Sequence, residues 1–186
     1  MQLSTQALPL IPLSRGVVLP HMVVTLALDD SEVGAAVDAA RKGDGSVILV
    51  PRSQGRYARI GTVAKVEDFG ELPSGVRAVV LKGLHRGVIG TGVAGVGEGI
   101  WVQVEPAPEP TTPSERSIEL AREYRATVEA IVEARGAAEV REFLRGLSDP
   151  GALADTSGYS PDLSYEQKVE VLETVDVEAR LEKVLG

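Results

Sequence analysis

Gly90-Thr91-Gly92-Val93-Ala94-Gly95 has the G-x-G-x-x-G spacing that can cradle a dinucleotide pyrophosphate. That chemistry needs a helix straight after the glycines, so that its first N–H groups and its dipole meet the phosphates. Here Gly97 and Gly99 follow, and Trp101-Val102-Gln103-Val104 reads as a strand, so the segment is expected to be a hairpin loop. A G-x-x-x-x-G-K-[ST] phosphate loop occurs nowhere in the sequence, so this chain is not expected to hydrolyse ATP. His21 and His85 are far apart and lack metal-ligand spacing, and there is no cysteine to act as ligand or nucleophile. Glu115, Glu119 and Glu123 form a helical row, which solvation near a helix N-terminus explains without acid/base work. No catalytic, cofactor-binding or metal-binding residue is assigned.

What remains is the chemistry of surfaces. The Val17–Met22 connection is too apolar for an ordinary turn, which makes Leu19 and Met22 candidate substrate contacts. Methionine suits that role because its thioether adapts to varied partners. Tyr57, at a strand start, is a third candidate. The competing role for Leu19 and Met22 is to fill a β core. A second mode of binding is an exposed strand edge that adds an extended chain through backbone hydrogen bonds, with Pro9, Pro12 and Pro20 marking protected edges. Arg52, Arg56 and Arg59 make a local basic cluster that reads as a solvated strand end.

The elements that must position these residues change character along the chain. Leu8–Leu13 and Val17–Leu26 are apolar runs punctuated by proline, read as extended segments at a sheet margin. Ser46–Val50, Ala58–Val66, Val76–Leu81, His85–Thr91 and Ile100–Val104 read as strands, Ala58–Val66 with a clear period of two. One helix interrupts them, with Val33, Ala36, Val37 and Ala40 on one face behind Asp29, Asp30 and Ser31. Four prolines between Pro106 and Pro113 end the β part. Thr112-Pro113-Ser114-Glu115 then predicts a helix start with Thr112 as cap, and Ile118, Ala121, Tyr124, Val128 and Ile131 as the buried stripe. Ala137–Leu147 is predicted helical with Val140, Phe143, Leu144 and Leu147 inward. Ser164–Gln167 is a capping box, and Asp176 caps a last segment. The expectation is an α+β chain: a β-rich domain over 1–107 with about six strands and one helix, a Pro-rich linker over 108–113, and a small α-helical bundle over 114–186.

Composition bounds the function classes. The 186 residues are 44% hydrophobic but only 4% aromatic, so the cores must be aliphatic. Residues 1–110 carry 11 acids and 10 bases, and residues 111–186 carry 16 and 9, which together give the net charge of −8. That acidity argues against nucleic acid as a partner, since such affinity comes largely from Lys and Arg on phosphates. No apolar run approaches the ~20 residues of a membrane span, and the N-terminus has no signal-peptide pattern. The absence of cysteine fits a reducing compartment, and a cytoplasmic location is expected.

The opening (a Pro-x-Leu strand, a polar turn, Val17-Val18-Leu19-Pro20, a second apolar strand) resembles the start of the Lon protease N-terminal domain. Gly61-Thr62-Val63-Ala64, Val80–Arg86, Trp101–Pro106, Asp149–Asp155 and Ser164–Leu185 resemble further motifs of that family, in order and over nearly the whole chain. Thr156–Pro161 and the glycine-rich Gly90–Gly99 loop depart from it. The resemblance implies a PUA-like β domain and a helical connector, ending where an ATPase module and a Ser–Lys protease module would follow. It implies a non-catalytic region of a cytosolic, homohexameric, ATP-dependent serine protease, with ATP and magnesium bound only in the missing module. The implied partners are unfolded or damaged protein substrates and the other subunits of the hexamer. The alternative is a free-standing module of the same fold that binds a ligand, a protein or RNA.

Overall fold

The computed structural model describes residues 6–93, 100–109, 112–136, 138–160 and 162–185. The chain divides into two compact units, Met1–Pro108 and Glu109–Gly186.

The first unit holds seven strands and one helix among its described residues: β1 (Gln6–Leu13), β2 (Val23–Ala27), α1 (Ser31–Arg41), β3 (Ser46–Ser53), β4 (Arg56–Tyr57), β5 (Ile60–Glu71), β6 (Arg77–Val93) and β7 (Trp101–Pro106). Five of them close into a ring in the order β1–β7–β6–β5–β3. All neighbours are antiparallel except β1 and β3, whose parallel pairing from Leu10↔Ile48 to Leu13↔Pro51 completes the circuit. The prolines of β1 fit because, among the described residues, each sits where the strand ladders on one side only. Gln6–Pro9 pair with β7 and Leu10–Leu13 with β3, so each ring has an unpaired flank where no N–H is needed.

Leu8, Leu10, Ile48, Val50, Val63, Val102 and Val104 fill the interior, with Ala58 and Ile89 packed against them. Helix α1 packs across β1 and β3, which explains why both strands are buried on both faces. Asp30 caps α1, its carboxylate accepting from the N–H groups of Glu32 at 2.9 Å and Val33 at 3.3 Å.

Two expectations are corrected here. The runs at 76–81 and 85–91 are one strand, β6, bent where its pairing with β5 slips between Val63↔His85 and Ala64↔Gly83, leaving Leu84 as the extra residue of a bulge. The Val17–Pro20 run is buried but is not a strand; it is a connection folded onto β6.

The second unit contains α2 (Glu115–Ala134), α3 (Ala138–Arg145), α4 (Pro150–Asp155), a 3-10 turn (Thr156–Tyr159), α5 (Tyr165–Glu173) and α6 (Val177–Leu185). Leu120, Ala121, Tyr124, Leu144, Leu153, Ala154 and Leu181 form its core. The cap of α2 is Ser114, not Thr112, because its extended backbone aims the hydroxyl at the Ser117 N–H, 3.1 Å away. The buried stripe is also rotated from the expected one. Ser117, Leu120, Ala121, Tyr124 and Val132 face inward, while Ile118 and Ile131 are exposed. Ser117 passes as a core residue because its hydroxyl bonds the Ser114 carbonyl at 2.8 Å. Among the described side chains of α3 Leu144 alone is buried, and Val140 and Phe143 face solvent. Asp149, Ser164 and Asp176 cap α4, α5 and α6, Ser164 through the expected capping box with Gln167.

Candidate functional site

The connection from β1 to β2 is organised by a tight turn. The Met22 N–H donates to the Leu19 carbonyl at 3.2 Å, with Pro20 and His21 at the two centres. Proline presets the first centre, and His21 takes the positive φ of 74° that the second centre of a type II turn demands. This turn lies against the bend of β6. The His21 N–H donates to the Gly83 carbonyl at 3.0 Å, the Gly83 N–H to the Met22 carbonyl at 2.8 Å, and the Thr62 hydroxyl to the Val18 carbonyl at 2.6 Å. Gly83 has no room for a side chain: a Cβ there would stand 2.9 Å from the Leu19 oxygen.

The same packing settles where the candidate residues lie. Leu19 is fully buried, and Met22 is 7% exposed with its sulfur accepting the Leu19 N–H at 3.2 Å. The turn brings the two together, but inward, so the accessible apolar surface expected of them is not there. Burying both leaves no polar orphan, because the backbone of the connection is bonded to β6. Tyr57 is the exception. It stands 40% exposed on the β3–β4 hairpin, whose Gln54 and Gly55 both take positive φ. Beside it, Arg52 makes a two-point ion pair with Glu32 of α1, both N···O distances 3.0 Å, and its guanidinium lies 5.8 Å from the Tyr57 ring centroid. The Glu32 carboxylate first, and the Tyr57 hydroxyl second, raise the Arg52 pKa above its ordinary value. The result is a fixed cation beneath an exposed aromatic face, suited to contact and not to proton transfer.

Other exposed apolar side chains on this unit escaped the sequence reading: Val23, Phe69, Leu84, Val88 and Ile100. Leu84 is displaced outward by the bulge, and Phe69 lies at 5.1 Å from the Arg41 guanidinium. The available signal for Leu84 was the adjacent Gly83, since an isolated glycine in a strand marks a bulge.

The potential catalytic groups are not assembled. His21 is exposed in its turn, and the His85 Nδ1 lies 3.0 Å from the Arg86 carbonyl. Neither is bonded to a serine or a carboxylate among the described residues. Gly90 and Gly92 lie in β6 and Trp101 opens β7, so among the described residues no helix follows the glycine pattern; residues 94–99 lie outside them. No group of three His, Cys, Asp or Glu among the described residues could hold a metal ion. No described helix is long and apolar enough to cross a membrane.

The family model described as the ATP-dependent protease La (LON) substrate-binding domain matches residues 7–186. The chain belongs to the Lon substrate-binding domain family. Among relatives of this Lon domain, the Lon protease of Salinispora arenicola (strain CNS-205) is 44% identical over 180 residues. The Lon protease of Mycolicibacterium smegmatis is 40% identical over 182. The matches cover 96% and 97% of the chain but 23% of each relative, so the chain spans about a quarter of the length of these Lon proteases. The structure of the N-terminal domain of Mycobacterium avium complex Lon protease superposes with a TM-score of 0.90 at 38% identity, covering 97% of this chain and 96% of that one. A Lon N-terminal domain protein from Xanthomonas campestris shares the fold, with a TM-score of 0.67 at 23% identity and 97% of each chain covered.

Proposed function

We propose that this Lon domain is a non-catalytic substrate-recognition region that holds unfolded or damaged proteins for an ATP-dependent serine protease. In that reading it presents captured segments to an ATPase module elsewhere in the protein, where ATP and magnesium bind, and assists assembly of a cytoplasmic homohexamer. The observation that carries the reading is the set of apolar side chains left in solvent on the β-rich unit: Val23, Tyr57, Leu84, Val88 and Ile100. Exposed apolar surface is what an unfolded chain, with its own apolar side chains in water, can bury. Tyr57 adds a rigid amphipathic face next to a cation, a combination favoured at binding surfaces.

A residue-resolved NMR titration with one polypeptide in its folded and unfolded forms tests the proposal. Shifts around Tyr57, Leu84 and Val23 are expected with the unfolded form alone, and weaker binding is expected for Tyr57→Ser and Leu84→Ser. Absence of shifts with either form would rule out capture by the isolated domain.

A further inference from the structure

The ring of five strands leaves β2 outside it. Among the described residues β2 pairs with β6 alone, through Val23↔Lys82 to Ala27↔Ala78. The ladder's hydrogen-bonding phase follows from its two ends: the Gly83 N–H donates to the Met22 carbonyl, and the Leu28 N–H donates to the Arg77 carbonyl, each at 2.8 Å. Antiparallel pairs alternate, so Val24 and Leu26 bond to β6 while Val23, Thr25 and Ala27 turn their N–H and C=O groups the other way. Those of Thr25 and Ala27 have no partner among the described residues, and Thr25 is exposed.

Natural edge strands are usually protected by lysine, proline or a bulge on the edge itself. Val23-Val24-Thr25-Leu26-Ala27 has none of these and no charge at all. We infer that the outer edge of β2 receives one extended, uncharged, apolar segment of an unfolded chain as an added strand. This inference rests on the substrate-recognition reading and names the place and the mode of binding. The edge asks for a backbone with free N–H and C=O groups. Folded proteins offer them only at sheet edges, which are usually protected, whereas an unfolded segment has them at every residue. A second copy of this chain fits less well, because a stable dimer buries roughly 1,200–2,000 Å², far beyond what one short edge covers. Exposed Val23 lies on the face that the added strand's alternate side chains would extend, and exposed Asp29, just past the strand, favours a basic residue at that end.

Binding of the whole chain to a short labelled peptide with a Val-Thr-Val run and a flanking lysine, followed by fluorescence anisotropy, gives the test. Thr25→Pro removes only an outward N–H, so circular dichroism and Tm should stay unchanged while the peptide Kd rises by roughly tenfold or more. Two peptides N-methylated on alternate residues complete the test without altering the protein: one should lose binding, and the other, methylated on its outer edge, should keep it. Equal binding by both N-methylated peptides overturns strand addition, yet leaves capture through side chains standing. If the wild-type chain binds neither the peptide nor a reduced, carboxymethylated protein, the substrate-recognition reading itself fails. A wild-type dimer that Thr25→Pro dissociates would assign the edge to a second copy and overturn the inference.

Discussion

Arg180 is fully buried, and every nitrogen of its guanidinium is spoken for. Nη1 meets Glu109 at 2.5 Å, Asp155 at 3.4 Å and the Gly151 carbonyl at 3.5 Å, while Nε and Nη2 donate to the Thr174 and Val175 carbonyls at 2.9 Å. One side chain thereby ties α4, the α5–α6 connection and the segment entering the helical unit. Arg180→Met would take the cation away from Asp155, which is only 2% exposed, and remove the donor to the Gly151, Thr174 and Val175 carbonyls. A loss of about 3–5 kcal/mol is expected, measured by urea unfolding. Tyr124 makes a different case. Burial first raises its pKa, although its hydroxyl bonds Thr156 at 3.0 Å. A raised folded-state value means that stability is fully present below the unfolded tyrosine pKa, ~10, and is lost as pH rises toward the folded value. Thermal melts from neutral to alkaline pH should show that loss, with a shallower slope for Tyr124→Phe. The core position of Tyr124 was readable from helical spacing. The role of Arg180 was not, because its partners lie up to 71 residues away and meet it only in the fold.

Among the elements, β6 is the one whose shape the others follow. Its bend at Gly83 makes room for the Leu19–Met22 turn, so Gly83→Ala should force the Leu19 carbonyl and the Thr62 methyl, at 2.9 and 3.0 Å from the new Cβ, to give way. A destabilisation of about 1–3 kcal/mol is expected by chemical denaturation. Ser164→Ala should cost about 1 kcal/mol in the same assay, since it removes the hydroxyl that accepts the Gln167 N–H. The capping box of α5 and the alternating strands were legible because their signals are local: a hydroxyl three residues from a Gln, or a period of two. For Leu19 and Met22 the core role that the sequence also offered is the one they take, whereas the exposure of Ile118, Val140 and Phe143 was not legible, because apolar spacing marks a stripe without saying which neighbours will cover it. On α2 the covering helices α3, α4 and α6 select the Leu120–Tyr124 face instead.

For the whole molecule, charge follows the division into units. Residues 1–108 hold ten acids and ten bases, and residues 109–186 hold 17 acids and nine bases, so the full −8 resides on the helical unit. A neutral β unit neither attracts nor repels a chain by its net charge, which suits contact with apolar segments of varied sequence. A fragment ending at Pro108 is expected to keep the ring, and one ending at Gly92 to lose it, because β7 supplies ladders to both β1 and β6. Far-UV circular dichroism and dispersed amide spectra of the two fragments check this. The ring's closure also sets the order of events at the ribosome. Leu10–Leu13 can pair with β3 as soon as that strand is made, but Gln6 pairs with Val104, 98 residues later, so the first half of β1 is secured only when β7 arrives. At ~5–20 residues per second, Gln6–Pro9 wait roughly 5–20 s for β7. Pro9 and Pro12 break up an apolar stretch that would otherwise suit cross-β stacking, and so shield the nascent chain from aggregation while the ring is still open.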